Sequence, residues 1–397
     1  MNSFHKELDR RLTTLRKQGL LRELHRVDSP CGTRIRIGGR TLLNFSSNDY
    51  LGLANDPRLK QAAVRAAEKF GAGSGAARLT CGSLAPHHEL EETLADFKGA
   101  EAALSFSTGF ATAIGTICAL LGRDDVIILD KLVHACIVDA ARLSGAKMRV
   151  FAHNDLEDLE KILQWATKNI PPRKHVLIVT ESVFSMDGDA APLREIVALK
   201  EKHGAWLMVD EAHATGLYGK NRRGLAEESG LSERIEIQMG TLGKAVGAAG
   251  GYVCGSRVLI DFLINRARSF VFSTAPVPAA AAAATAGIRL IQSSIGETRR
   301  KSLWKRIDEL KSATGHRPSA SPSAIIPVRI GNETQAIAVS AALREDGIFV
   351  PAIRYPTVAR GQARLRVTLS AAHGADEIRL LAARLNKIVK LQPHLVN

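Results

Sequence analysis

A chain of 397 residues with 45% hydrophobic and 24% charged content has the composition of an ordinary globular protein, long enough for two domains around one site. Its cysteines, Cys31, Cys81, Cys118, Cys136 and Cys254, are scattered and lack CxxC spacing, which argues against a disulfide framework or a zinc site and suits reduced thiols in a cytoplasm. The formal charge of +14 favours anionic partners, yet only 5% of residues are aromatic and Lys and Arg are spread throughout, so an anionic small molecule or acidic carrier protein fits better than nucleic acid. Met1 to Asp9 is mixed polar and no run of 18 apolar residues occurs, so neither export nor a membrane span is expected.

Taken in chain order, the leucines between His5 and Leu24 approximate one helical face, interrupted at Gly19, and predict an arm helix. Alternation over Arg34–Ile37, a Gly38-Gly39 turn and the run Leu42–Phe45 predict a hairpin, which completes an N-terminal segment of residues 1–45. From 46 to 278, short apolar runs alternate with helical stretches: Ala103–Phe106, Val126–Leu129, Arg149–Phe151, Val176–Thr180, Trp206–Val209, Ile235–Met239 and Gly251–Cys254. Seven buried strands separated by helices predict an α/β domain with a mainly parallel sheet. Asp130, Glu181 and Asp210 fall where those strands end, at the edge where such sheets bind ligands. Residues 279–397 read as a smaller α+β domain: a long helix at Ala279–Leu290, helices at Trp304–Ala313, Thr334–Glu345 and Asp376–Leu391, and strands at Ala324–Ile330, Phe349–Ile353 and Arg364–Leu369.

The chemistry is carried by Lys244 in Thr241-Leu242-Gly243-Lys244, downstream of Asp210-Glu211-Ala212-His213. A lysine amine can hold pyridoxal phosphate as a Schiff base, and a carboxylate can keep the pyridine nitrogen protonated so that the ring withdraws electrons. Ser107-Thr108-Gly109-Phe110-Ala111, after a strand and before a helix, offers N–H groups to a phosphate. Ser185 and Thr241 can add hydroxyl contacts or serve as turn residues, His134 can stack on the ring or be structural, and His213 can bond the ring's phenolic oxygen. Gly71–Gly82 lacks a nucleotide-loop frame and suggests a flexible wall beside the substrate. Arg354, straight after a strand, could clamp a substrate carboxylate with both guanidinium nitrogens, or be a surface arginine.

The strings Asn44 to Leu53, Thr180 to Asp189, Val209 to His213, Gly240 to Lys244 and Arg354 to Thr357 resemble those of the α-oxoamine synthases, with the resemblance running from about Arg22 to His373. It implies a fold-type I pyridoxal-phosphate transferase, a homodimer with sites at the subunit interface. Carried onto this sequence, it implies Lys244 as the Schiff-base lysine, Asp210 as partner of the ring nitrogen and His134 stacked on the ring. Ser185 and His213 would contact the ring, while Gly109, Phe110 and Thr241 would serve the phosphate, and Ser273 and Thr274 the phosphate held by the other subunit. Arg22, Asn48, Arg354 and Thr357 fall on substrate-side positions, His134 facing both cofactor and substrate. The implied reaction is decarboxylative condensation of L-alanine with pimeloyl-coenzyme A or a pimeloyl-acyl carrier protein. Acetyl transfer to glycine, 5-aminolevulinate synthesis and serine palmitoyl transfer are the alternatives inside the family, and an inactive scaffold subunit of the same fold is the alternative outside catalysis. Ala113 and Ala359 depart from the residues usual in the family, which bears on substrate preference.

Overall fold

The computed structural model describes residues 2–169, 174–315 and 323–391. The first elements are α1 (Ser3–Lys17), β1 (Arg34–Ile37), β2 (Arg40–Asn44), α2 (Pro57–Phe70), α3 (Ala85–Lys98), β3 (Ala102–Phe106) and α4 (Gly109–Leu120). There follow β4 (Val126–Asp130), α5 (Ala135–Ser144), β5 (Lys147–Phe151), α6 (Leu156–Asn169), β6 (Val176–Glu181), α7 (Leu193–His203), β7 (Trp206–Asp210), α8 (Leu225–Glu228), β8 (Ile237–Thr241) and β9 (Gly251–Gly255). The chain ends with α9 (Arg257–Arg266), α10 (Arg268–Val271), α11 (Pro278–Gln292), α12 (Ser294–Thr314), β10 (Ile325–Gly331), α13 (Glu333–Glu345), β11 (Ile348–Phe349), β12 (Ala352–Ile353), β13 (Ala363–Thr368) and α14 (Ala375–Leu391). No helix among the described residues is long and apolar enough to cross a membrane.

Two compact units divide these elements. The larger comprises Leu51–Ser185 and Asp189–Lys301, and the smaller Met1–Tyr50, Met186–Gly188 and Ser302–Asn397. The division therefore passes within α12, whereas the sequence suggested a boundary at 278/279. The alanine-rich α11 explains the difference, since it packs against α2 and α3 and belongs to the larger unit. Its small side chains allow that close approach: Ala281, Ala284 and Gly287 are buried along one face. Nor do residues 1–45 form a segment of their own, because β11 pairs with β2 in the smaller unit.

The larger unit is built on a seven-stranded sheet in the order β3-β9-β8-β7-β6-β4-β5. Only β9 runs against its neighbours. Strands β3, β4 and β6 are buried at every position, as their unbroken apolar runs require when helices cover both faces. The expectation of seven buried strands fails at β5, where Lys147, Arg149 and Val150 are exposed: this is an edge strand, and charge on an edge discourages pairing with other chains.

In the smaller unit, β1 and β2 form the expected hairpin and β11 adds in parallel to β2, enclosing Ile35, Ile37, Leu42 and Phe349. Helix α1 stops at Lys17, short of the expected Leu24, because Gly19 takes a φ of 65° and turns the chain out of the helix. The single strand expected at Phe349–Ile353 is two short ones, β11 in the hairpin sheet and β12 against β13. Pro351 stands between them and has no N–H to continue a ladder.

Candidate active site

The C-terminal edge of the large sheet collects the titratable groups. Asp130, Glu181 and Asp210 are the last residues of β4, β6 and β7, and Thr241 is the last of β8. Asp130 is absorbed structurally: its carboxylate accepts the N–H groups of Leu132 and Asn154 and bonds Nδ1 of His153 at 2.9 Å. Asp210 faces a different environment. It is 6% exposed, its Oδ1 accepts the N–H of Ala212 at 2.9 Å, and burial pushes its pKa up against the opposing pull of Lys244.

Lys244 lies in the loop between β8 and β9, where its Nζ is 2.7 Å from Nε2 of His213. That loop is tightly wound. Gly247 donates to the Lys244 carbonyl and Ala248 to that of Leu242, while Thr241 Oγ1 donates to the Gly250 carbonyl at 3.0 Å. Gly247 needs both its φ of 75° and its missing side chain, since a Cβ would stand 2.6 Å from the Leu53 backbone. Lys244 is thereby held on a short, fixed loop at the same sheet edge as Asp210.

His134 caps α5, its Nδ1 accepting the Cys136 N–H at 3.2 Å, which leaves the remaining ring proton on Nε2. Its ring is exposed, and partial desolvation holds its pKa below the ordinary histidine value. Ser185 is 8% exposed and its main-chain N–H bonds the carboxyl group of Glu181.

At the start of α4, Thr108 Oγ1 caps the Ala111 N–H, while Gly109 and Phe110 lie in the first turn, where N–H groups have no carbonyl within the helix. The next strands crowd this turn. A Cβ on Gly109 would lie 3.7 Å from Cβ of Thr241, and one on Gly251 would lie 2.7 Å from the Gly109 nitrogen. The positive end of a helix dipole, two free N–H groups and a nearby threonine form a cradle for an anion. Together with a lysine amine and a buried carboxylate, the set fits a phosphorylated pyridine aldehyde: the amine for the aldehyde carbon, the carboxylate for the ring nitrogen and the cradle for the phosphate.

Ser273 and Thr274 stand apart from this group. Thr274 bridges to Ala77, Ser74 Oγ donates to the Pro276 carbonyl at 2.6 Å, and Arg78 makes a two-nitrogen ion pair with Glu91. The flexible wall expected at Gly71–Gly82 is thus corrected to a pinned loop. Gly82 itself is packed so closely that a Cβ would meet the Ala76 carbonyl oxygen at 2.0 Å.

Three of the four substrate-side residues converge within the smaller unit. Arg22 donates to Thr357 Oγ1 at 3.2 Å and the Tyr355 carbonyl at 3.4 Å, and Arg354 donates to the carbonyls of Gly19 and Leu21. Burial and the like charge of Arg22 both weigh against the charge on Arg354, so an incoming anion would relieve the pair. Asn48 is engaged elsewhere, its Oδ1 accepting from Arg366 at 2.9 Å and from Tyr50 at 3.2 Å.

The surroundings of two supporting groups emerge only from the fold. Glu211, between Asp210 and His213, turns away from them into a fully buried ion pair with Lys98; its Oε1 accepts the Ala226 N–H, and Lys98 also bonds the Arg223 carbonyl. Glu181 was noted for its place at a strand end, yet its closeness to Asp210 comes from the pairing of β6 with β7. The only sequence signal for either was an ionisable residue inside or beside an apolar strand. Among the described residues there is no cluster that could hold a metal ion.

The sequence matches the aminotransferase class I and II family over residues 40–385. It is 49% identical to an 8-amino-7-oxononanoate synthase of Anaeromyxobacter sp. strain K over 92% of this chain and 91% of that protein. It is 45% identical to the enzyme of the same name from Thermoanaerobacter pseudethanolicus, over 98% and 99% respectively. The fold superposes on a Sphingomonas wittichii serine palmitoyltransferase with a TM-score of 0.90 at 32% identity, covering 99% of both chains. With near-complete coverage on both sides, the chain belongs to the aminotransferase class I and II family and, within it, to the α-oxoamine synthases.

Proposed function

We propose that this enzyme is an 8-amino-7-oxononanoate synthase of biotin synthesis, a pyridoxal-phosphate acyltransferase that joins L-alanine to a pimeloyl thioester with loss of carbon dioxide. It acts as a cytoplasmic homodimer, with coenzyme A or acyl carrier protein as the thiol carrier. The observation that carries the chemistry is the Lys244 amine, 2.7 Å from His213 at the sheet edge where Asp210 is buried. The near-full-length likeness to 8-amino-7-oxononanoate synthases supports the choice of substrates.

Pyridoxal phosphate, when bound, supplies an electron sink for the α-carbon of the amino acid. Lys244 would hold the cofactor through its Nζ, and as a free amine that Nζ would take the α-proton of alanine and later return a proton to the same carbon. His213, within hydrogen-bond distance of Nζ, orients that amine and would bond the phenolic oxygen of the ring when the cofactor is bound. Asp210 would pair with the ring nitrogen and keep it protonated, and that cation would in turn favour the ionised carboxylate against the burial that pushes its pKa up. His134, Ser185 and Thr241 bound the ring, Gly109 and Phe110 bind the phosphate, and Ser273 and Thr274 serve the phosphate of the partner subunit. Arg354 would take the alanine carboxylate, with Arg22, Thr357, Asn48 and His134 on the substrate side.

Borohydride reduction followed by peptide mass spectrometry tests the lysine assignment. The reduced cofactor should be found on Lys244 and be lost in Lys244→Ala. Labelling of another lysine would overturn the reading.

A further inference from the structure

Glu181 and Asp210 are in register at the ends of neighbouring parallel strands, so both side chains leave the sheet on the same face. Glu181 is 2% exposed. The main-chain N–H groups of His134 and Ser185 bond its carboxyl group, while its Oε1 is buried without a hydrogen-bond partner. Asp210, by contrast, has Oδ1 bonded by the Ala212 N–H. The titratable groups around Glu181 are Asp210, Lys244, His134 and the Cys136 thiol.

Two buried carboxyl groups side by side share a proton, because like charges at short range cannot both ionise without cost. The unpartnered Oε1 is where that proton is least opposed, since a protonated oxygen there displaces no donor. Burial, followed by the charge of Asp210, accordingly pushes Glu181 up to about 8.

Resting on the reading of Asp210 as the ring-nitrogen partner, we propose that Glu181 is a positioning residue. It stays a neutral carboxylic acid at neutral pH, accepts the N–H groups that carry the His134 and Ser185 walls, and leaves Asp210 the sole anion facing the ring. A carboxylic acid and a carboxamide have the same outline and the same accepting oxygen, so glutamine should replace Glu181 and alanine should not.

The test uses the holoenzyme and its Glu181→Gln and Glu181→Ala variants. The wild-type minus Glu181→Gln infrared difference spectrum at neutral pH should contain a protonated carboxylic-acid carbonyl band. The pH midpoint of the cofactor's visible band should be unchanged in Glu181→Gln, and the cofactor Kd should rise roughly tenfold in Glu181→Ala through loss of the acceptor. A missing acid band, or a midpoint shifted by more than about one pH unit in Glu181→Gln, overturns the proposal, since either means an ionised Glu181. If Glu181→Ala does not fold, the infrared and pH measurements on Glu181→Gln still decide. Failure of the underlying reading looks different: Asp210→Asn would then leave the visible band and the cofactor Kd of the wild type unchanged.

Discussion

Gly251→Ala probes the phosphate cradle from a residue that itself bonds no part of the cofactor. The new Cβ would lie 2.4 Å from Thr112 Oγ1 and 2.7 Å from both Cα and N of Gly109. The Thr112 hydroxyl is held by its bond to the Thr108 carbonyl at 2.9 Å, and the Gly109 backbone must move, and with it the N–H that opens α4. Overpacking of this kind costs about 1–3 kcal/mol. If that cost falls on the turn in its phosphate-binding form, it corresponds to a roughly 5- to 150-fold weaker Kd at about 1.4 kcal/mol per tenfold. Titrating the apoprotein with pyridoxal phosphate and, separately, with pyridoxal isolates the phosphate: the first should weaken by that factor and the second much less. Gly73→Ala is the control, since a Cβ there meets nothing within 4 Å. Gly251→Ala binding pyridoxal phosphate within about twofold of wild type, against the 5-fold minimum worked above, would refute the cradle.

Other perturbations test other parts of the account. His153 bonds Asp130 at 2.9 Å and Asp189 at 2.7 Å; burial pulls its pKa down, but the two carboxylates outweigh that and raise it from 6.5 to about 10. A raised folded-state pKa stabilises fully below 6.5 and is lost as pH rises through about 10, so the Tm difference between wild type and His153→Gln should shrink across that window. A difference independent of pH would contradict the clasp. Arg354→Ala should raise the KM for alanine roughly 10- to 100-fold, the worth of a charged hydrogen-bonded pair, and an unchanged KM would remove Arg354 from the amino-acid site. Lys98→Met leaves the Glu211 carboxylate buried without its cation and should cost about 3–5 kcal/mol; adding Glu211→Leu should recover much of the lost Tm, and no recovery would mean that packing alone was damaged.

The sheet was legible because buried parallel strands leave short, unbroken apolar runs, as in Val176–Val179. What misled were features that depend on neighbours: Arg149 looked like part of a buried strand until the order of strands put β5 on the edge. Lys244, Asp210 and His213 could be read as one neighbourhood because each ends or closely follows a strand, which places all three at one sheet edge. Lys98 and Arg366 could not. Their partners, Glu211 and Asn48, lie far away in the chain, and only the folded structure brings a buried cation to its acceptor. Glu181 falls between these cases, since its strand was evident and its pairing with Asp210 was not.

The central claim is the joining of alanine to a pimeloyl thioester, and mass spectrometry of the product tests it most directly. Holoenzyme given a pimeloyl thioester with alanine, glycine or serine in separate reactions should release 8-amino-7-oxononanoate and carbon dioxide with alanine. Turnover confined to glycine or serine, or none with any of the three while Lys244 holds its cofactor, would contradict the account.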